Sequence, residues 1–229
     1  MIHFEWLSLL PFLKAEHLHI ANKLLICFIL LGLTFLSRRA LKRSKNALIP
    51  SGHFSIKAFF ENFVSIMASL SDLVVGPQGR KFIPFFSTLF IFVWFNNLLG
   101  LVPGMGAATS NVNTTLALGV FSFLVYNIYG FKEHGLSYLK QLMGPVLFLA
   151  PLMFVIEFIS HLVRPLSLGL RLYGNMVGDH TVLSIFLDLA PVLIPVIFYF
   201  LGFFVCTMQA FIFTILSMVY ISIALSHDH

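Results

Sequence analysis

Arg171 lies in LSLGLRLYGNM (166–176), an apolar stretch whose natural solvent is a bilayer. A guanidinium cannot shed its charge there, because its pKa lies above ~12. Holding a charged residue at mid-membrane costs roughly 2.5–3.5 kcal/mol on insertion scales. A chain that keeps this cation has a use for it. Other groups share the segment: Glu157, His161, Arg164, Asp179 and His180.

At 100° per residue, Glu157, Arg164, Ser167, Arg171, Asn175 and Gly178 fall within about 40° of one helix face. His180 falls opposite. Glu157 is ~21 Å to one side of Arg171 along the axis and His180 ~13 Å to the other. Two titratable groups at different depths and azimuths around a permanent cation suit two offset half-channels better than one continuous pore. Each has a plainer reading. Glu157 also has His161 and Arg164 within reach at i+4 and i+7. His180 also fits a hydrogen-bonded buried histidine, although Asp179 beside it favours proton exchange. Arg164 reads as an interfacial anchor with a snorkelling stem. Gly169, Gly174 and Gly178 offer small surface, either for ordinary helix contacts or for close approach by another helix.

These groups need long apolar helices to carry them. The chain has 229 residues, 59% hydrophobic and 10% charged, with mean hydropathy +0.94. A soluble domain carries about 25% charged residues. The fold class expected is an all-α polytopic membrane protein forming one membrane domain over 1–229. Its elements are an outside N-terminus (1–19), a span over 20–36, an amphipathic surface helix over 54–76, spans over 82–102 and 114–130, and a hairpin of two long helices over 144–187 and 190–226. Leu189 to Ser226 carries no charge in 38 residues. As one helix that is ~57 Å, against a hydrocarbon core of ~30 Å, so the hairpin is expected to tilt strongly. Pro165 is expected to bend its first helix.

Net charge is +5, and five of the fourteen basic residues lie between Arg38 and Lys45. Positive-inside bias puts that block in the cytoplasm, the N-terminus outside and the C-terminus in the cytoplasm. It is not a nucleic-acid patch, since no aromatic residues interleave it. Cys27 and Cys206 read as small buried hydrophobes. No P-loop pattern occurs, and no cofactor and no metal are expected.

With the hairpin folded near residue 189, Arg171 lies 18 residues before the bend and Gln209 lies 20 after it. The two should sit at nearly one depth, where Gln209 either accepts from the guanidinium or bonds a nearer group. No carboxylate of this chain is level with Arg171, which suggests that its ionic partner belongs to another subunit.

EFISHLVRPLSLGLRLYGNMVGDH (157–180) and TMQAFIFTILSMVYISIAL (207–225) strongly resemble subunit a of the F-type ATP synthase. FNNLLGLVPG (95–104), TSNVNTTLALG (109–119) and KRSKNALIPSG (42–52) are similar to the same family in its bacterial style, so the resemblance covers about 40–225. It implies that Arg171 is the essential stator arginine and Gln209 its paired glutamine. It implies that Glu157 serves the cytoplasmic half-channel and His180 the outer one, with Asp179 beside it, and that Asn175 and Asn97 are polar channel positions. Some relatives carry an ionisable group seven residues before the glutamine; here that position is Gly202, so the outer path must use His180 with Asp179, Asp188 and water. The implied partners are the rotor ring of c subunits, the peripheral-stalk b subunits, the ATPase sector indirectly, and lipid. The implied place is the bacterial inner membrane rather than the mitochondrial one. The chain itself would translocate ions, with nucleotide chemistry left to the assembled two-sector ATPase. A sodium-translocating form of the same subunit is the alternative. A stand-alone transporter would want an internal repeat, and none is found. A structural scaffold would leave Arg171 unexplained.

Overall fold

The computed structural model describes residues 18–43, 56–102, 105, 107–135, 138, 150–189 and 194–225. The expected outside N-terminus, the stretch 44–55, the Pro103-Gly104 turn, the hairpin bend and the Asp188 side chain lie outside the described residues. All the regular structure described is helical. The six α-helices are α1 (Leu18–Arg43), α2 (Ile56–Val74), α3 (Ile83–Leu101), α4 (Val112–His134), α5 (Ala150–Leu189) and α6 (Ile194–Leu225). Four helical stretches are long and apolar enough to cross a membrane: Pro77–Leu101, Val112–His134, Leu152–Leu187 and Pro195–Leu225. The protein is therefore an all-α polytopic membrane protein. Among the described residues, α1 carries an apolar stretch at Leu24–Leu36.

The chain divides into two compact units, Met1–Ala108 and Thr109–His229. In the first, α2 turns one face inward through Met67 and Ser71 and packs Phe63 on Phe90 of α3, with ring centroids 5.4 Å apart. Lys57 is buried and paired with Glu61 at 3.5 Å. Phe59, Val64, Ile66 and Leu73 remain exposed on α2. A tight turn joins α2 to α3. Gly76 takes φ +81°, where a side chain would be strained. Arg80 then reaches back to Asp72 with two parallel hydrogen bonds of 3.1 and 3.2 Å, the fork geometry that suits a guanidinium to a carboxylate. Cys27 is exposed on α1, contrary to the expectation of burial. It sits on the helix's outer apolar face beside Phe28 and Ile29.

The second unit is a bundle of α4, α5 and α6, each packed on the other two. Asn111 caps α4, accepting from the Asn113 N–H at 2.9 Å. The inward stripe of α4 is Thr115, Gly119, Ser122, Tyr126 and Gly130. Small and hydroxylated residues at this spacing let helix backbones approach closely where lipid gives no hydrophobic drive. A Cβ at Gly119 would collide with the Pro165 carbonyl of α5, and one at Gly169 would meet the Thr115 carbonyl oxygen at 2.9 Å. Ser122 donates to Ser217 of α6 at 2.9 Å. α5 runs through Pro165 as one 40-residue helix, and α6 has 32 residues. At 1.5 Å per residue both exceed a ~30 Å core, so each must tilt or project beyond it. Phe186 stacks on Phe198 near the bend, with centroids 4.2 Å apart.

Candidate functional site

The polar residues of α5 separate into two groups that the bundle treats differently. Toward its N-terminal end, Glu157, His161 and Arg164 form a closed network with α4 and α6. The Arg164 Nη2 group donates to Glu157 Oε1 at 3.3 Å, and its Nη1 lies 3.4 Å from His161 Nδ1. The guanidinium rests 5.7 Å from the centroid of the Tyr220 ring on α6. His161 Nε2 lies 3.0 Å from Asn127 Oδ1, and the Tyr138 hydroxyl donates to the same oxygen at 3.2 Å. Burial pushes the Tyr138 phenol up from its ordinary pKa. Its proton therefore stays available for donation to Asn127.

Arg164 is thus a paired group and not a free interfacial anchor. Glu157 takes up the ion pair seven residues on, and its side chain is still 42% exposed. Asn127, Tyr138 and Tyr220 were not legible as members of this group. The available signal was the polar stripe of α4, which runs into Asn127.

Around Arg171 the picture reverses. Arg171 is exposed, as are Gly174, Asn175 and Gly178. Nothing among the described residues lies within 4 Å of a Cβ placed at Gly174 or Gly178. No hydrogen bond or ion pair reaches the Arg171 guanidinium among the described residues. Of the three glycines, Gly169 serves α4 and the other two face open space.

Gln209 is 2% exposed, and its Oε1 accepts from Asn175 Nδ2 at 2.6 Å. Its Nε2 has no partner among the described residues. Asn175 stands one turn, ~6 Å, beyond Arg171, so Gln209 is about one turn from Arg171 and bonded to the nearer group. The register explains the difference. The 175/209 and 186/198 pairs both centre on position 192, about three residues later than the 189 expected from the sequence.

Asp179 and His180 follow on α5, both half-buried. Gly202 is buried on α6. Cys206 is buried, as expected, with its Sγ 4.0 Å from Met176 Sδ. Asn97 belongs to the first unit, where it is buried on α3. No group of three or more metal-ligating side chains occurs among the described residues.

A multi-pass helical bundle with a bare cation on its longest helix belongs to the class of ion-transporting membrane subunits. The family can be stated: residues 22–222 match the ATP synthase A chain family, and the chain belongs to it, as a subunit a of the F-type enzyme's membrane sector. It is 50% identical over 227 residues to the ATP synthase subunit a of Bdellovibrio bacteriovorus, covering 99% of both chains. It is 45% identical to that of Trichlorobacter lovleyi, over 89% of this chain and 85% of the relative. It is 42% identical to that of Geobacter sulfurreducens, over 92% and 88%.

Proposed function

We propose that this chain is the stator of a proton-driven rotary motor, with Arg171 as the cation that discharges carboxyl groups carried past it on a ring of c subunits. The observation that carries the proposal is the contrast at Arg171: an exposed guanidinium with no partner in its own described chain, beside two glycines that open onto empty space. A passing carboxylate would find charge there and room to approach.

The chemistry follows from electrostatics. A proton entering from the outer side near Asp179 and His180 neutralises a ring carboxylate. Only the neutral acid tolerates lipid. Rotation carries a loaded acid round to Arg171. A unit charge at ~4 Å in an effective dielectric of ~20 favours the ionised carboxylate by about 4 kcal/mol, enough to release the proton toward Glu157 on the cytoplasmic side. The same cation repels protons and so keeps the two half-channels from leaking into each other. Asn175 stands on the face beside Arg171, with the buried Gln209 bonded to it from behind. The membrane potential supplies ~2.3 kcal/mol per charge per 100 mV. The basic residues of 38–45 and Lys132 support a cytoplasmic side at those ends, an outside N-terminus and a cytoplasmic C-terminus. Peripheral-stalk b subunits would hold the chain still against the ring, in a bacterial inner membrane.

The test is Arg171→Lys in the assembled synthase, read as ATP-driven acidification of inverted membrane vesicles. A point charge replaces a planar fork, and pumping should vanish while the ATPase sector still hydrolyses ATP. Normal pumping by that variant would overturn the assignment. Running the unaltered enzyme with and without sodium separates the proton from the sodium reading, since acidification that needs sodium would overturn the former.

A further inference from the structure

We propose that His161 is a positioning residue of the cytoplasmic half-channel: its Nδ1 fixes the Arg164 guanidinium, which in turn holds the Glu157 carboxylate at the channel mouth. The inference rests on the role given to Glu157 above.

Glu157, His161 and Arg164 share one face of α5 at i, i+4 and i+7. An arginine paired with a carboxylate that is 42% exposed is not firmly held by that pair alone, because solvent screens it and both side chains are long. The imidazole supplies what the pair lacks. Its ring is wedged edge-on among Phe123, Tyr126 and Tyr138, with centroids at 5.5, 5.4 and 6.3 Å. The wedge draws on α4, on the Tyr138 segment beyond it and on α5 itself.

The hydrogen-bond directions in this wedge are mutually determined. Asn127 Nδ2 donates to the Phe123 carbonyl at 2.8 Å, so the Asn127 oxygen is the atom that faces His161. That oxygen accepts from Tyr138 and from His161 Nε2; the Tyr138 oxygen, its proton given to Asn127, lies 3.4 Å from Nε2 and can only accept there. The imidazole therefore carries its hydrogen on Nε2 and presents a lone pair at Nδ1, toward the Arg164 N–H 3.4 Å away. This tautomer is assigned from the network, and it is the one that satisfies both sides. A doubly protonated ring would set N–H against N–H and cation against cation. The charged and titratable groups around the ring are Arg164 and Glu157 on α5, Tyr126 on α4 and Tyr138; Tyr220 of α6 lies behind the guanidinium. The Nδ1 lone pair faces a guanidinium, which does not give up its proton, and Nε2–H faces an amide oxygen, which does not take one up, so neither partner feeds a relay through the ring. A positioning role fits it and a relay does not.

The experiment measures passive proton conductance of membranes holding the complete membrane sector, with the ATPase sector stripped off. The variants are His161→Phe, His161→Gln, Glu157→Gln and the double variant His161→Phe/Glu157→Gln. Phenylalanine keeps a ring in the aromatic cage and removes both nitrogens, so conductance should fall about tenfold, the loss of one charge-assisted hydrogen bond. Glutamine restores an amide donor and acceptor and should recover conductance to within about twofold. The double variant should conduct no worse than Glu157→Gln alone, because residues acting through one another are not additive. Additive losses would overturn the inference. So would His161→Gln behaving no better than His161→Phe. If His161→Phe fails to accumulate in the membrane, His161→Leu takes its place under the same expectations; if neither accumulates while His161→Gln does, the role is packing and the inference fails. A Glu157→Gln variant with unchanged conductance would instead overturn the half-channel reading beneath it, whereas loss at Glu157 with normal flux in His161→Phe overturns this inference alone.

Discussion

Arg164 and Arg171 stand seven residues apart on one helix, about 20° apart in azimuth, and the chain treats them in opposite ways. Arg164 is 22% exposed, pairs with Glu157, abuts His161 and lies over Tyr220. Arg171 is exposed and receives nothing from the described residues. The packing of α4 and α6 makes the difference. Both helices close over Arg164, where Asn127, Tyr126 and Tyr220 converge. At Arg171 the neighbouring positions on the outer face are Gly174 and Gly178. An arginine served by its own chain fits a structural task, whereas one left bare in a membrane segment fits the role proposed above, a cation met by a group that arrives from elsewhere.

The largest test of this comparison substitutes lysine at each position in turn. Arg171→Lys should lower ATP-driven pumping by at least about a hundredfold, since a discharging cation needs its planar donors in place. Arg164→Lys should lower it about tenfold: the guanidinium meets His161 with one nitrogen and Glu157 with another, and a single ammonium lacks the fork that reaches both. Equal losses at the two sites would erase the distinction.

Next in size are the glycines. Gly169→Leu should reduce the amount of subunit in the membrane, because its Cβ would meet the Thr115 carbonyl and Leu116 of α4, and forced contacts of this kind cost about 1–3 kcal/mol or more. Gly174→Leu meets nothing within 4 Å. It should accumulate normally while coupled pumping falls about tenfold, by obstructing approach to Arg171. Immunoblots of membranes set beside vesicle acidification separate the two effects. Normal pumping by Gly174→Leu would mean that no partner docks on that face.

The helices themselves were largely legible, because long uncharged runs bounded by charged clusters leave little choice of structure in lipid. Arg171 was legible for the same reason: its cost in an apolar segment stands out without any knowledge of neighbours. What the sequence could not show was which partner each polar group would take. Glu157 had two readings; it pairs with Arg164 within α5, whereas His161 turns to Asn127 of α4, a contact that Gly119 and Gly169 permit by letting the two backbones meet. Asn127 and Tyr138 lie 34 and 23 residues from His161, and nothing local joins them. The Gln209 partner turned on the register of α6 against α5, where a slip of about one turn exchanges Arg171 for Asn175. Cys27 was misjudged because an apolar helix in a membrane protein can face lipid as readily as a core.

The finest test concerns that exchange. Gln209 is buried and accepts from the exposed Asn175, while its Nε2 has no partner among the described residues. Gln209→Ala removes the amide and leaves Asn175, which water can still serve, so the subunit should accumulate and conductance should fall about fivefold, the effect of about one hydrogen bond. Asn175→Ala leaves Gln209 Oε1 free to turn to the guanidinium one turn away, and the loss should be about twofold or less. The order of the two matters more than either size. If Asn175→Ala proves the more damaging, Gln209 acts by holding Asn175. If Gln209→Ala does, Gln209 serves Arg171, and the bond to Asn175 is the resting arrangement of an amide that changes partner when a carboxylate comes into reach.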